Sequence, residues 1–282
     1  MAETIAICNQ KGGVGKTTTA INLAASLAAA EKKTLLIDLD PQGNACSGLG
    51  VNKNQISKGI YHVLIGEITA AEAAIRTELP FLKLIPSNSI LANAEYELLE
   101  IVSRETILKN AITSISSTYD YIIIDCGPSL GLLTINAMVA ANAILIPVQC
   151  EYYAMEGVAD LMKTINFVKS SLNPDLKIKG VVLTMFDGRI SLSKMVAEEI
   201  KKHFKDSVFQ VVVPRNVKLA EAPSYGKPVI LYDIKSRGAE SYFELAKELL
   251  MRDVVEADKV NSERGSGLAS PSERGMGGSG DS

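Results

Sequence analysis

Residues 4–30 run from a five-residue apolar stretch, "TIAIC", through the glycine-rich "NQKGGVGK" into the Ala- and Leu-rich "TTTAINLAASLAAA". That succession predicts a strand, a tight loop and a buried helix. The theme recurs at "TLLID" (34–38), "LKLIP" (82–86), "YIIID" (121–125), "AILIPV" (143–148), "IKGVVLT" (178–184) and "VFQVVVP" (208–214), most of them separated by helical patterns such as 91–112 and 155–172. Continuous apolar strands alternating with helices imply a mostly parallel sheet covered on both faces, an α/β doubly wound fold of about seven or eight strands. No Pro/Gly/Ser-rich linker divides residues 1–250, so one domain is expected over 1–258. Tyr242, Leu245, Leu249 and Leu250 lie at helical spacing in 239–255 and predict a final helix docked on the sheet. The Gly- and Ser-rich remainder, 259–282, with "SERG" at 262 and again at 272, reads as a disordered tail.

The glycine loop almost fits G-x-x-x-x-G-K-[ST], but Gln10 stands where the first glycine belongs and Lys11 follows it, so that Lys11 and Lys16 flank the glycines. Gly12, Gly13 and Gly15 permit positive φ and turn backbone N–H groups inward around Val14, and the helix beginning near Lys16 adds the positive end of its dipole. The result is an anion nest. Lys16 then reaches the β- and γ-phosphates of ATP, the Thr17 hydroxyl ligates Mg²⁺ and Thr18 contacts the chain of phosphates near the α position. A plain glycine turn before a helix is the alternative, and the order strand, loop, Gly-Lys-Thr, helix argues against it.

Phosphoryl chemistry needs carboxylates beside the metal, at the C-terminal ends of parallel strands. "IIIDCGPS" places Asp125 there, to hold Mg²⁺ directly or through water; "LLIDLDPQGN" adds Asp38, closing its strand in support of the metal shell, and Asp40, further out and more mobile. Asp40 either orients the attacking water or only forms the turn ahead of Pro41. Lys16 and Asp40 are therefore candidate catalytic residues, and a family resemblance adds Lys11 to them.

Several function classes are disfavoured. Four scattered cysteines without a C-x-x-C pair, and two histidines, read as buried thiols and not as a metal or redox centre. No apolar run reaches the length of a membrane span, and the N-terminus has no signal peptide pattern, which reads as cytosolic. A net charge of −3 argues against coating nucleic acid over the whole surface, but residues 177–237 hold 12 Lys and Arg against 6 Asp and Glu, leaving −9 elsewhere. That excess is either a basic face or a set of solvated helix surfaces.

K-G-G-V-G-K-T with its leading lysine resembles the deviant phosphate loop of the family that includes the ParA and Soj partition ATPases, the division-site regulator MinD and nitrogenase iron protein. The similarity to ParA and Soj covers nearly all of 3–252 and includes "DLDPQGNA", "PVQCEYYAMEGVADL", "LTMFDGR" and "VPRNVKLAEAPSYGKP". It implies an ATP-dependent homodimer in which Lys11 crosses to the phosphates bound by the partner subunit. A lysine on the rim of a nest that already holds Lys16 is repelled unless polyphosphate lies between them, so the implication is physically sensible. The resemblance further implies that Pro214 and Asn216 contact adenine with Thr184 bordering it, that 40–44 and 125–129 are the two switch loops, and that a ParB/Spo0J-type centromere-binding protein stimulates hydrolysis. Cys126-Gly127-Pro128 departs from the two prolines common in relatives.

The resemblance also assigns non-sequence-specific binding of double-stranded DNA to Arg189 and Lys218, with Arg215, Lys194, Lys227 and Lys235 as further candidates, and hence a nucleoid-associated location. A MinD-like membrane role needs a basic terminal helix, whereas 240–259 carries six acids against three bases. An iron–sulfur role needs two cysteines at a dimer axis, whereas Cys8 falls within the first strand and Cys126 beside Asp125.

Overall fold

The computed structural model describes residues 2–152 and 154–266. Eight strands form one sheet in the order β3-β4-β2-β5-β1-β6-β7-β8, with β1 (Glu3–Ile7), β2 (Thr34–Leu39), β3 (Ile75–Arg76), β4 (Leu82–Ile85), β5 (Tyr121–Cys126), β6 (Ala143–Gln149), β7 (Lys177–Phe186) and β8 (Val208–Pro214). All neighbours are parallel except the edge pair β3–β4. Every residue of β2 and β5 is buried, as strands covered on both faces must be.

The helices are α1 (Lys16–Ala29), α2 (Asn44–Gly48), α3 (Ile60–Leu64), α4 (Ala70–Ala73), α5 (Leu91–Glu97), α6 (Ile107–Thr113), α7 (Leu132–Ala140), α8 (Ala154–Ser171), α9 (Ser191–Phe204), α10 (Val217–Glu221), α11 (Val229–Tyr232) and α12 (Arg237–Ser266). Chain contacts divide the protein after Ala246. The first unit holds the whole sheet and the start of α12, where Tyr242 and Leu245 are buried and the Tyr242 hydroxyl bonds Thr19 Oγ1 at 3.2 Å. In the second unit, Glu248 pairs with Arg252 at 2.8 Å. The helix passes residue 259 and reaches Ser266; the rest of the expected tail, 267–282, lies outside the described residues.

The eighth strand, β3, is two residues long and too short to show a period, and one local expectation fails. The pattern over 91–112 is not one helix but α5, a 3₁₀ turn at 98–100, a break, a second turn at 104–106 and α6. Ile101 is extended and Ser103 is left-handed, with φ 58°. Ile-Val-Ser is a poor helix interior, and the Asn136 side chain takes up the freed backbone by donating to Arg104 O (2.9 Å) and accepting from Leu108 N (3.1 Å).

Candidate functional site

The strand order β2-β5-β1 sets Asp38, Asp125 and the glycine loop on three adjacent strands. Register pairs Asp125 with Asp38 on one side and with Ile7 on the other, so both carboxylates emerge at the C-terminal edge beside residues 8–15. Asn9 fixes the loop: its Nδ2 donates to Pro147 O of β6 (2.8 Å) and its Oδ1 accepts from Lys11 N (3.0 Å). Val14 is buried, and its carbonyl accepts from Thr184 Oγ1 at 2.7 Å, which ties the loop to the end of β7. Gly13 (φ 75°) and Gly15 (φ 91°) take left-handed backbone, as expected; Gly12 does not, so two of the three glycines are conformationally required.

The two lysines part company. Lys16 Nζ curls over its own loop to donate to Lys11 O at 3.0 Å, and burial lowers its pKa against the pull of Asp125. Lys11 turns outward and pairs with Glu151 at 3.3 Å, its side chain 32% exposed on the rim.

Asp125 is wholly buried and neither of its oxygens has a hydrogen-bond partner. Burial, and then the neighbouring Asp38, push its pKa well up, while the Thr17 hydroxyl and Lys16 act the other way. An orphaned buried carboxylate is costly unless something binds it, and a divalent cation beside Thr17 meets that need. Among the described residues no group of three or more His, Cys, Asp or Glu forms a cage of its own. Mg²⁺ suits such a site, since it takes one or two protein oxygens and fills its octahedron with phosphates and water.

Asp38 is tied down instead, with Oδ1 accepting from Asp40 N (3.3 Å) and Oδ2 from Cys46 N (3.0 Å); burial still lifts its pKa to about 6. Asp40 is neither far out nor loose. It is 7% exposed, its Oδ1 accepts from Gln42 N (2.9 Å), its carbonyl accepts from Ser87 Oγ (2.9 Å), and a Cβ on Gly127 would touch its carboxylate carbon at 3.6 Å. The buried turn thus holds this carboxylate against the loop at Gly127.

A cavity of about 230 Å³ opens from the nest, lined by Gly15, Thr18, Thr184, Pro214 and Asn216 among others. The residues expected around the base therefore meet at one place. Met185 and Tyr242 line the cavity too and were not anticipated. Met185 has φ 50° where the β7–β8 register slips, a tertiary feature without a local sequence signal.

Arg189 follows β7 and Arg215 follows β8, so the two adjacent strands deliver them to the same edge; Arg215 also lines the cavity. Arg189 forks onto Asp187 with bonds of 2.9 and 2.6 Å, and Lys218 pairs with Glu221 at 2.9 Å, over the Tyr232 ring. Lys227 instead faces Glu78 at 3.8 Å. All four cysteines are free and buried, with Cys8 and Cys126 in contact at 3.5 Å between β1 and β5.

A mostly parallel sheet with a glycine nest at the end of β1, carboxylates on the next two strands to one side and a cavity opening from the nest is a nucleoside-triphosphate-binding protein of the P-loop class. An AAA domain model matches residues 2–178. The chain is 55% identical to the chromosome partitioning protein ParA of Myxococcus xanthus, over 90% of either chain. It is 54% identical to the sporulation initiation inhibitor protein Soj of Bacillus subtilis, over 88% of this chain and 98% of Soj. Among solved structures, cobyrinic acid a,c-diamide synthase of Mycobacterium smegmatis with bound ATP analog and magnesium superposes with a TM-score of 0.79 at 36% identity, over 89% of this chain and 95% of that one. The chain belongs to the ParA/Soj family of chromosome-partitioning ATPases.

Proposed function

We propose that the chain binds Mg-ATP, pairs face to face with a second copy as it does so, and attaches as the pair to double-stranded DNA without reading its sequence. Release follows when hydrolysis, stimulated by a ParB/Spo0J-type partner on centromere sites, removes the γ-phosphate. The observation that carries this reading is the parting of the two lysines: Lys16 covers its own nest while Lys11 stands on the rim. A cation placed there serves a triphosphate presented from outside, and two nests face to face each gain a charge-assisted contact from the other.

In this reading the backbone of 12–18 and Lys16 hold the phosphates, Pro214 and Asn216 face adenine, Asp40 orients the attacking water, and Thr17 and Asp125 hold the cation with Asp38 behind. Bound there, magnesium would supply charge neutralisation to the phosphates. Arg189, Arg215 and Lys218 contact DNA phosphates, which position the protein without specifying bases. The complex is then nucleoid-associated; among the described residues no helix is long and apolar enough to cross a membrane.

If one protomer meets about three phosphates and the pair about six, the slope of log K against log salt steepens from roughly −2.7 to roughly −5.4. Salt titrations of DNA binding with ATP, with ADP and without nucleotide test this. The steep slope is expected with ATP alone, and equal slopes in all three would refute the gating. Lys16→Ala should abolish both nucleotide binding and the steep slope.

A further inference from the structure

Asp38 and Asp40 belong to a closed ring of hydrogen bonds. Asp40 N donates to Asp38 Oδ1 (3.3 Å), Cys46 N donates to Asp38 Oδ2 (3.0 Å), Ser87 N donates to Cys46 Sγ (3.1 Å), and Ser87 Oγ donates to Asp40 O (2.9 Å) and closes the circuit. All four residues are buried. Three of them lie within nine residues of one another in the chain. Ser87 comes from elsewhere, just past β4, and register brings it to the end of β2 by pairing Ile85 with Ile37.

The backbone that the Ser87 hydroxyl meets is satisfied without it. Gly43 N already donates to Asp40 O at 2.9 Å and closes the turn. An alanine at 87 would therefore leave no orphaned donor or acceptor behind. The main chain of Ser87 does the packing: its carbonyl accepts from Cys46 Sγ (3.4 Å) and would stand 2.8 Å from a Cβ on Gly43, whose φ is 61°. On the solvent side Lys53 Nζ donates to Gln42 O at 2.8 Å, an exposed bond that water can replace.

What the hydroxyl fixes is position. The Asp40 carboxylate takes Gln42 N (2.9 Å) inside the same turn, so a turn free to shift carries the carboxylate with it. A displacement of about 1 Å in a group that orients a reactant can cost about a hundredfold in rate.

We propose that Ser87 is a positioning residue for ATP hydrolysis: its hydroxyl fastens the Asp40–Gly43 turn to the end of β4 and so holds the Asp40 carboxylate where it orients the attacking water. The inference rests on the role given to Asp40 above. Ser87 acts through Asp40 and not on the nucleotide, so it governs the chemical step and not ATP affinity.

Single-turnover hydrolysis of Mg-ATP by the full chain on duplex DNA, with ATP affinity measured separately, tests this. Ser87→Ala should lower the rate constant about tenfold or more, with affinity within about twofold of wild type, and Ser87→Thr, which keeps the hydroxyl, should restore the rate. In an Asp40→Ala background, adding Ser87→Ala should leave the residual rate unchanged, because the group it positions is gone; a merely structural serine would slow both chains alike. Should Ser87→Ala fail to fold, Ser87→Cys, of similar size but a weak donor, takes its place in the same comparison. A rate equal to or above that of wild type, an equal loss in both backgrounds, or no rescue by threonine would overturn the inference. A slow Asp40→Ala beside an unimpaired Ser87→Ala would sink it alone, whereas normal turnover by Asp40→Ala would overturn it together with the reading of Asp40.

Discussion

In the proposed DNA contact, Asp187 competes with phosphate for Arg189. The guanidinium is 90% exposed but forked onto this carboxylate, which is held well below the usual range by those two bonds. Exposed pairs contribute little stability, so a duplex phosphate can take the place of Asp187. Asp187→Asn should raise DNA affinity severalfold at an unchanged salt slope, since Arg189 is already counted among the phosphate contacts; weaker binding in the salt titration would mean that Asp187 chiefly orients the arginine. At Asp38 burial works on stability. Its pKa rises from 3.8 to about 6 on folding, so between those values the folded chain binds the extra proton, and the contribution to stability falls as pH rises. In thermal melts of the nucleotide-free chain, wild type should lose stability from pH 4 to pH 6 relative to Asp38→Asn; parallel curves would show that Asp38 is not perturbed.

Among elements, one close backbone meeting joins the turn after α2 to the turn before α11. Gly50 and Gly226 both have positive φ (75° and 64°), and a Cβ on Gly226 would lie 2.7 Å from Gly50 Cα. Backbone against backbone cannot yield as a flexible side chain can. Gly226→Ala should cost about 1–3 kcal/mol, read from the denaturant midpoint; an unchanged midpoint would mean that the turn moves aside easily. What was legible in the sequence follows the same physics. Seven of the eight strands announce themselves as apolar runs, unbroken or nearly so where both faces are buried as in β2 and β5, and the nest does because few residues but glycine tolerate its backbone. The break at Ile101–Ser103 was hidden because the amide that accommodates it comes from Asn136, far along the chain. The burial of Asp40 and the left-handed turn at Met185 were hidden likewise, since one depends on Ser87 and Gly127 and the other on the β7–β8 register.

For the whole molecule, sheet order explains why one edge carries everything: the nest, both carboxylates, the base cavity and the cationic turns after β7 and β8 all sit at C-terminal strand ends. On the proposed reading, a chain of net charge −3 would hold DNA through this concentrated face, and pairing would double it and turn weak contact into useful contact. Everything then depends on whether Lys11 leaves Glu151 for a neighbour's triphosphate. Light scattering with magnesium and a non-hydrolysable ATP analogue measures this directly. The account predicts that the molar mass of the wild type doubles while Lys11→Ala, still binding the analogue, stays monomeric; a wild type that remains monomeric, or a variant that pairs as well, would contradict it.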